Sequence, residues 1–371
     1  MTTSSATGAP VALNDLRRSA ALQHDELVAA LSRVTASGRY IQGPETAAFE
    51  LELASYLGVS HCVGVGNGTD ALELALLGVG SSPGDDAVMA ANAGMYAATA
   101  ARRIGLRPRF ADVDPVTLCL SRPTVGAALT PATRVVVVTH LYGRVAAVEE
   151  IVELCRAREI AVVEDCAQAA GARLDAGAAG SFGDAAAFSF YPTKNLGAAG
   201  DGGAVVTSRD DVAQAVRSVA QYGWAEKYRV VRPNGRNSRL DELQAAILRL
   251  RLPHLDDWNA RRRVIVTRYM EALPPSAGRF VAADEPSYVG HLAVFLAPDR
   301  PRAERLLAGA GIGTAVHYPI ADHRQPVFGG EYDGLTLPVT EAGIDRVLTV
   351  PCFPELTEPE IERVCEALVD L

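Results

Sequence analysis

Residues 134–168 read "RVVVVTHLYGRVAAVEEIVELCRAREIAVVEDCAQ". "RVVVVTHLYG" and "IAVVEDCAQ" are short apolar runs of the kind that form buried strands. Between them, "AVEEIVELCRAREI" carries Val148, Ile151, Val152, Leu154 and Cys155 at helical spacing. Strands apolar on both faces, separated by a helix, belong to a mostly parallel sheet covered by helices. The alternation extends in both directions. Upstream lie "HCVGVGN" with the helical "GTDALELALLG", then "DAVMAA" and "RPRFADVD"; downstream lie "AAAFSF" and "GGAVVTS". The fold class is therefore α/β.

From Ser238 the rhythm changes. Leu240, Leu243, Ile247 and Leu250 fall at helical spacing, Pro253 interrupts, and a second helix follows. After "PPSAG" (274–278) a smaller α+β segment begins, with a strand at "HLAVFLA". The expected organisation is a disordered tail over residues 1–13, a large α/β domain over 14–250, and a helical connector with a small C-terminal α+β domain over 251–371.

Composition narrows the class. The chain is 49% hydrophobic and 21% charged, as in a soluble globular protein able to bury a large core. A net charge of −9 with scattered Lys and Arg argues against nucleic acid as the main partner. "MTTSSATGAP" lacks the basic and apolar regions of a signal peptide, and no apolar run approaches the ~20 residues of a membrane span. Six single cysteines without CxxC spacing read as small buried hydrophobes in a reducing cytosol, not a zinc or redox site. The expected location is cytoplasmic, with no membrane partner and no metal.

Four signals gather at the C-terminal ends of strands, where ligands bind in open α/β sheets. "GVGNGTDALELAL" runs from a strand through glycines into a helix; it fits a phosphate cradle, a dinucleotide turn, or a plain tight turn capped by Thr69. Glu164 and Asp165 end a buried strand. Alternation sends one toward the cleft, where it can pair with a cationic ligand nitrogen; an N-cap or a buried ion pair is the other reading. Lys194 follows "AAAFSF" directly in "FSFYPTKNLGAAGDGG" (188–203), as an exposed loop charge or as a desolvated amine nucleophile. Tyr96 opens a helix after a strand, to stack on a flat heterocycle or to pack in the core. Ser189, near the same edge, offers a hydroxyl to phosphate. Together these are the parts that pyridoxal 5′-phosphate needs: a lysine for its aldehyde, a carboxylate for its ring nitrogen and a helix N-terminus for its phosphate. A nicotinamide oxidoreductase built on "GNGTDA" explains the first signal and leaves the lysine and "EDCAQ" idle.

From about Asn14 to its end the chain resembles the DegT/DnrJ/EryC1/StrS sugar aminotransferases, fold-type I pyridoxal phosphate enzymes with an aspartate aminotransferase-like architecture. The motifs are "GNGTDALELAL", "MYAATA", "FADVD", "THLYG", "VEDCAQAAGA", "FSFYPTKNLGAAGDGG", "GRNSRLDELQAAIL", "HYP" and "LTVPCFPELT". The resemblance implies that Lys194 holds the cofactor as an internal aldimine and shuttles the proton, that Asp165 pairs with the ring nitrogen, and that Gln168 lies near the ring hydroxyl. Tyr96 would stack on the ring, and Gly68, Thr69 and Ser189 would hold the phosphate. Asn237 would reach the phosphate from the neighbouring subunit of a homodimer. His317, Tyr318 and His323 would line the sugar pocket, although "HYPIADHRQP" lacks the second proline that relatives carry there. Lys227 and Arg229 are candidates for diphosphate or donor carboxylates, or solvated loop charges. Lysine at 194, where dehydrating relatives carry histidine, implies transamination. "YGW…KY…GRNSRLDELQAA" is most like the branch that aminates dTDP-linked 3-keto-6-deoxyhexoses from L-glutamate. A dTDP-4-keto-6-deoxyhexose aminotransferase and a non-catalytic cofactor-binding regulator stand as alternatives.

Overall fold

A computed structural model describes residues 9–371. Three helices come first: α1 (Leu16–Leu22), α2 (His24–Ser37) and α3 (Pro44–Leu57). The chain then alternates as the sequence predicts: β1 (His61–Val65), α4 (Gly68–Gly78), β2 (Asp86–Ala90), α5 (Tyr96–Arg103), β3 (Arg107–Ala111), α6 (Arg122–Ala128), β4 (Thr133–Thr139), α7 (Val148–Arg156) and β5 (Ala161–Asp165). A two-residue ribbon, β6 (Arg173–Leu174) and β7 (Gly177–Ala178), precedes β8 (Ala185–Ser189), β9 (Gly203–Thr207) and α8 (Asp210–Ala220).

Seven strands pair in the order β1-β9-β8-β5-β4-β2-β3. From β8 to β3 all are parallel, and β9 runs antiparallel to both its neighbours. The valine run of β4 shows why the sheet must be covered twice. Val136 and Val138 enter one core with Val88 and Val162, while Val135 and Val137 enter the opposite core with Ala87 and Val163. Each such valine, fully buried, contributes about 1.5–3 kcal/mol relative to exposure.

A short exposed hairpin, β10 (Trp224–Glu226) and β11 (Arg229–Val230), leads to α9 (Glu242–Arg251). Pro253 sits in a 3-10 turn between α9 and α10 (Leu255–Ala272). The C-terminal part forms an antiparallel sheet of β12 (Arg279–Phe280), β13 (Ala293–Leu296) and β14 (Val347–Val350). Helices α11 (Arg300–Gly309) and α13 (Glu358–Val369) cover it, and Tyr269, Phe295, Leu348 and Ile361 fill its core.

Two stretches depart from the expected organisation. Of the tail expected over 1–13, residues 1–8 lie outside the described residues, but 9–13 are pinned. Val11 is buried, its N–H donates to the Gly311 carbonyl (2.9 Å), and its own carbonyl accepts from the Gly313 N–H (2.8 Å). Between β13 and β14 the chain returns to the large sheet. Phe328, Tyr332 and Leu337 share a core with Phe110, and Tyr332 Oη donates to the Pro108 carbonyl (2.7 Å). Asp112 holds the start of α12 (Pro338–Ile344) by accepting from the N–H groups of Val339 (3.0 Å) and Thr340 (2.8 Å). Phenylalanine, tyrosine and leucine at 328, 332 and 337 need a large apolar surface, and the sheet beside Phe110 offers it.

Glu242, buried at the start of α9, fastens α3 from 199 residues away. Its Oε1 accepts from the N–H groups of Gly43 (2.9 Å) and Thr46 (2.8 Å), and Oε2 from Glu45 (2.9 Å). Burial opposes its charge, but the bonds from Thr46, Glu45 and Gly43 prevail and hold its pKa below the usual value. A depressed carboxylate pKa gives stability that is full above the ordinary value of about 4.3 and lost as pH falls through the folded-state value. Glu242→Gln is therefore expected to cost about 2 kcal/mol at pH 7, because one N–H then faces an amide NH₂. Denaturant melts should show the gap to wild type closing below pH ~4; a gap unchanged with pH would refute the account.

Candidate active site

The strand ends converge on a cavity of about 630 Å³. Thr139, Asp165 and Ser189 close β4, β5 and β8 and all three line it, together with the N-terminus of α4. Alternation along β5 separates the two acids. Glu164 points away, where its oxygens accept from the N–H groups of Gly180 (2.8 Å), Phe182 (2.8 Å) and Gly183 (2.7 Å) and meet His140 Nε2 (2.9 Å). Asp165 faces the cavity. It accepts from the Ala167 N–H (3.1 Å) and from Thr139 Oγ1 (3.3 Å). Burial raises its pKa, opposed by the Ala167 hydrogen bond and then by the positive charge of Lys194.

Lys194 also lines the cavity, so the loop-charge reading is set aside. Burial lowers its amine to about 8, against the pull of Asp165. At pH 7 about a tenth is thus the free amine, the form that attacks a carbonyl, far more than for an ordinary lysine.

At the start of α4 the cap is Asn67, not Thr69: Asn67 Oδ1 accepts from the Asp70 N–H (2.9 Å). The N–H groups of Gly68 and Thr69 find no acceptor among the described residues. A Cβ on Gly68 would stand 2.6 Å from Ser189 Cβ and 3.0 Å from Ser189 Oγ, so the glycine lets that hydroxyl join the helix N-terminus. The glycines after Lys194 act likewise. A Cβ on Gly197 would meet the Pro192 carbonyl at 2.6 Å, and one on Gly203 would strike the Asn67 carbonyl. Their role is close approach, not left-handed backbone.

Tyr96 opens α5 half-exposed and meets Tyr318 edge-on at 6.0 Å. Tyr318 Oη accepts from Gln168 Nε2 (3.0 Å), and Gln168 Oε1 accepts from the Tyr142 N–H (2.6 Å). Tyr142 Oη in turn donates to the His317 carbonyl (2.6 Å). This chain ties the "HYP" segment to the floor laid by "EDCAQ". Gly68, Thr69, Tyr96, Asp165, Gln168, Ser189, Lys194, His317 and Tyr318 therefore share one cavity.

His323 does not join them, which corrects that expectation. It is 3% exposed, packed beside Phe110 at 6.3 Å, with Nε2 on Glu341 Oε1 (3.0 Å). The return of 322–344 to the large sheet carries it into that core. Its neighbour Asp322 instead accepts from the Gly94 N–H (3.1 Å), just before Tyr96. Asn237 is exposed, pairs with Gln221, and lies outside its own chain's cavity. Lys227 and Arg229 sit on the exposed hairpin, with Arg229 on Glu226 (3.1 Å).

His291 and Asn195 escaped the sequence reading. Asn195 Nδ2 donates to Asn259 Oδ1 (2.7 Å) and to the Val289 carbonyl (2.9 Å), so its Oδ1 is the acceptor toward His291 Nδ1 (2.9 Å). The proton thus sits on Nδ1. Burial first, then Lys194 and Arg262, keep this ring's pKa well below the usual value, so Nε2 carries a lone pair. "KN" and "GHLAVF" contain both residues, but nothing in their spacing joins them.

These groups fit pyridoxal phosphate on structural grounds. Two unpartnered helix N–H groups and a hydroxyl suit a phosphate, a buried carboxylate suits a protonated ring nitrogen, and a desolvated amine suits an aldehyde.

Comparison with known proteins agrees. The DegT/DnrJ/EryC1/StrS aminotransferase family matches residues 22–369. The dTDP-3-amino-3,4,6-trideoxy-alpha-D-glucose transaminase of Micromonospora megalomicea is 42% identical over 92% of this chain and 94% of its own. The S. venezuelae protein DesV, solved in complex with a ketimine intermediate, superposes with TM-score 0.93 at 38% identity over 98% of both chains. A Bacillus subtilis protein, NtdA, solved with bound cofactor PMP, gives TM-score 0.92 at 29% identity over 98% of this chain and 85% of its own.

Proposed function

Since the chain belongs to the DegT/DnrJ/EryC1/StrS aminotransferase family and is a pyridoxal-phosphate-dependent sugar aminotransferase, we propose that it aminates a dTDP-linked 3-keto-6-deoxyhexose with L-glutamate as donor. The product is a dTDP-3-amino sugar for deoxyamino-sugar assembly in an antibiotic or glycan. The observation that carries the reading is Lys194: a desolvated amine sharing a cavity with the buried Asp165. The 3-keto, dTDP-linked substrate is supported by the name of the M. megalomicea relative.

The residues divide the work. The Gly68 and Thr69 N–H groups and Ser189 Oγ would hold the phosphate, and Tyr96 would cover the ring. Asp165 would keep a proton on the ring nitrogen, with Thr139 and the Ala167 N–H orienting its oxygens. The bound cofactor supplies an electron sink for the carbon that carries the amino group. Lys194 Nζ takes a proton at that carbon and returns it, a positioned transfer worth about 10²–10⁴ in rate. Gln168 would meet the ring hydroxyl, and His317 and Tyr318 would face the sugar. Asn237, exposed on its own chain, would serve the phosphate of a second subunit, so the working form is a homodimer with shared sites.

Incubating the protein with glutamate and either a dTDP-3-keto or a dTDP-4-keto-6-deoxyhexose tests the reading. NMR should place nitrogen at C3. Nitrogen at C4 would replace the regiochemical assignment, and no aminated sugar from either would overturn it.

A further inference from the structure

A second cavity, of about 290 Å³, adjoins the first and shares Asn14, Thr193 and Lys194 as walls. Two arginines line it, Arg251 from the end of α9 and Arg262 from α10. Both guanidiniums are tethered in the same way. Arg251 Nη1 donates to the carbonyls of Gly197 (2.6 Å) and Ala198 (3.3 Å), and Arg262 Nη1 to that of Cys352 (2.6 Å). In both, Nη2 has no acceptor among the described residues, and neither arginine forms an ion pair there.

Arg262 is only 5% exposed, and its Nε is also unpartnered. A guanidinium this deep without a counter-charge is destabilising unless an anion joins it. Two carboxylates also line it. Asp15 is taken by Arg17 at 2.8 Å, and Glu355 acts on Arg251 from beyond ion-pair distance. Two fixed cations thus line the cavity with one carboxylate that forms no ion pair among the described residues, and Lys194 is shared with the larger cavity. Free Nη2 groups on rigid stems suit a carboxylate.

We propose that this cavity is a subsite for a small carboxylate anion, namely a carboxylate of the amino donor and of the keto acid it becomes. The assignment rests on the transaminase reading above and deepens it. The donor would reach Lys194 from the arginine side, while the sugar nucleotide occupies the larger cavity, so the two substrates need not share one set of basic groups.

Trp258 lines the subsite, and Trp224 on the hairpin is the only other tryptophan. In holoenzyme carrying Trp224→Phe, emission therefore reports on this cavity. Titration with glutarate, a dicarboxylate with neither amino nor keto group, should change Trp258 emission saturably. Arg251→Gln should weaken that binding at least tenfold, and Arg251→Lys should recover part of it. Inorganic phosphate and dTDP at equal concentration should leave the emission unchanged. In turnover, Arg251→Gln should raise KM for glutamate at least tenfold and leave KM for the keto-sugar within twofold. That split is one that mere loosening of the loop after Lys194 would not produce. No glutarate signal in wild type, an undiminished affinity in Arg251→Gln, or displacement by dTDP overturns the subsite, even in an active enzyme. Intact arginine-dependent glutarate binding with no transamination leaves the subsite standing and removes the functional reading.

Discussion

Lys194→Ala should reduce transamination at least about 10³-fold, because one side chain supplies both the covalent anchor for the aldehyde and the proton carrier. The structure gives the reason in two parts. Burial brings the amine to about 8, and the loop places it in the same cavity as Asp165 and the N-terminus of α4. Arginine should not substitute, because it stays protonated. Borohydride reduction of wild type followed by peptide mass mapping should put the cofactor mass on Lys194 and nowhere else. Methylamine, a diffusible primary amine, should restore a small part of the lost activity. A Lys194→Ala enzyme that folds and retains a tenth of wild-type turnover would remove Lys194 from its assigned role.

Asp165→Asn should lower kcat by about 10²–10³-fold, on the scale of a lost electrostatic stabiliser. The amide preserves shape and can still accept from the Ala167 N–H, but it cannot hold a proton on a ring nitrogen. It also changes Lys194. Asp165's charge holds that pKa up, so its loss should move the amine below its present value of about 8. The sign can be read without turnover. The rate at which apoenzyme captures pyridoxal phosphate should rise with pH through a midpoint near 8 in wild type, and through a lower midpoint in Asp165→Asn. A midpoint that stays in place or moves up would contradict the coupling.

Most of the large sheet could be read from the sequence because its strands are short, apolar on both faces and regularly spaced. Thr133–Thr139 and Ala161–Asp165 stand out as apolar runs in the sequence alone. The antiparallel course of β9 does not, since "GGAVVTS" reads the same in either direction. The cavity-lining positions at a strand end or helix start, namely Asp165, Lys194, Gly68 and Tyr96, are legible because topology brings such positions together. His323 misled because it stands beside "HYP" in sequence, while Phe328 and Tyr332 draw its segment into another core. His291 and Arg262 were silent because their partners, Asn195 and Cys352, lie 96 and 90 residues away.

The return of residues 322–344 to the large sheet bears on recombining this enzyme with its relatives. A crossover at the α9–α10 junction looks natural, since a helical connector divides the chain there. It would nonetheless separate Phe110 from Phe328 and Tyr332, and Asp112 from the α12 N–H groups it holds. Offspring of such a cross inherit half of an aromatic cluster from each parent and fail by mismatch in a core remote from the chemistry. Carrying residues 107–112 along with the C-terminal block keeps the cluster in one lineage. The unit of inheritance is then set by tertiary contact, not by the visible seam in the chain.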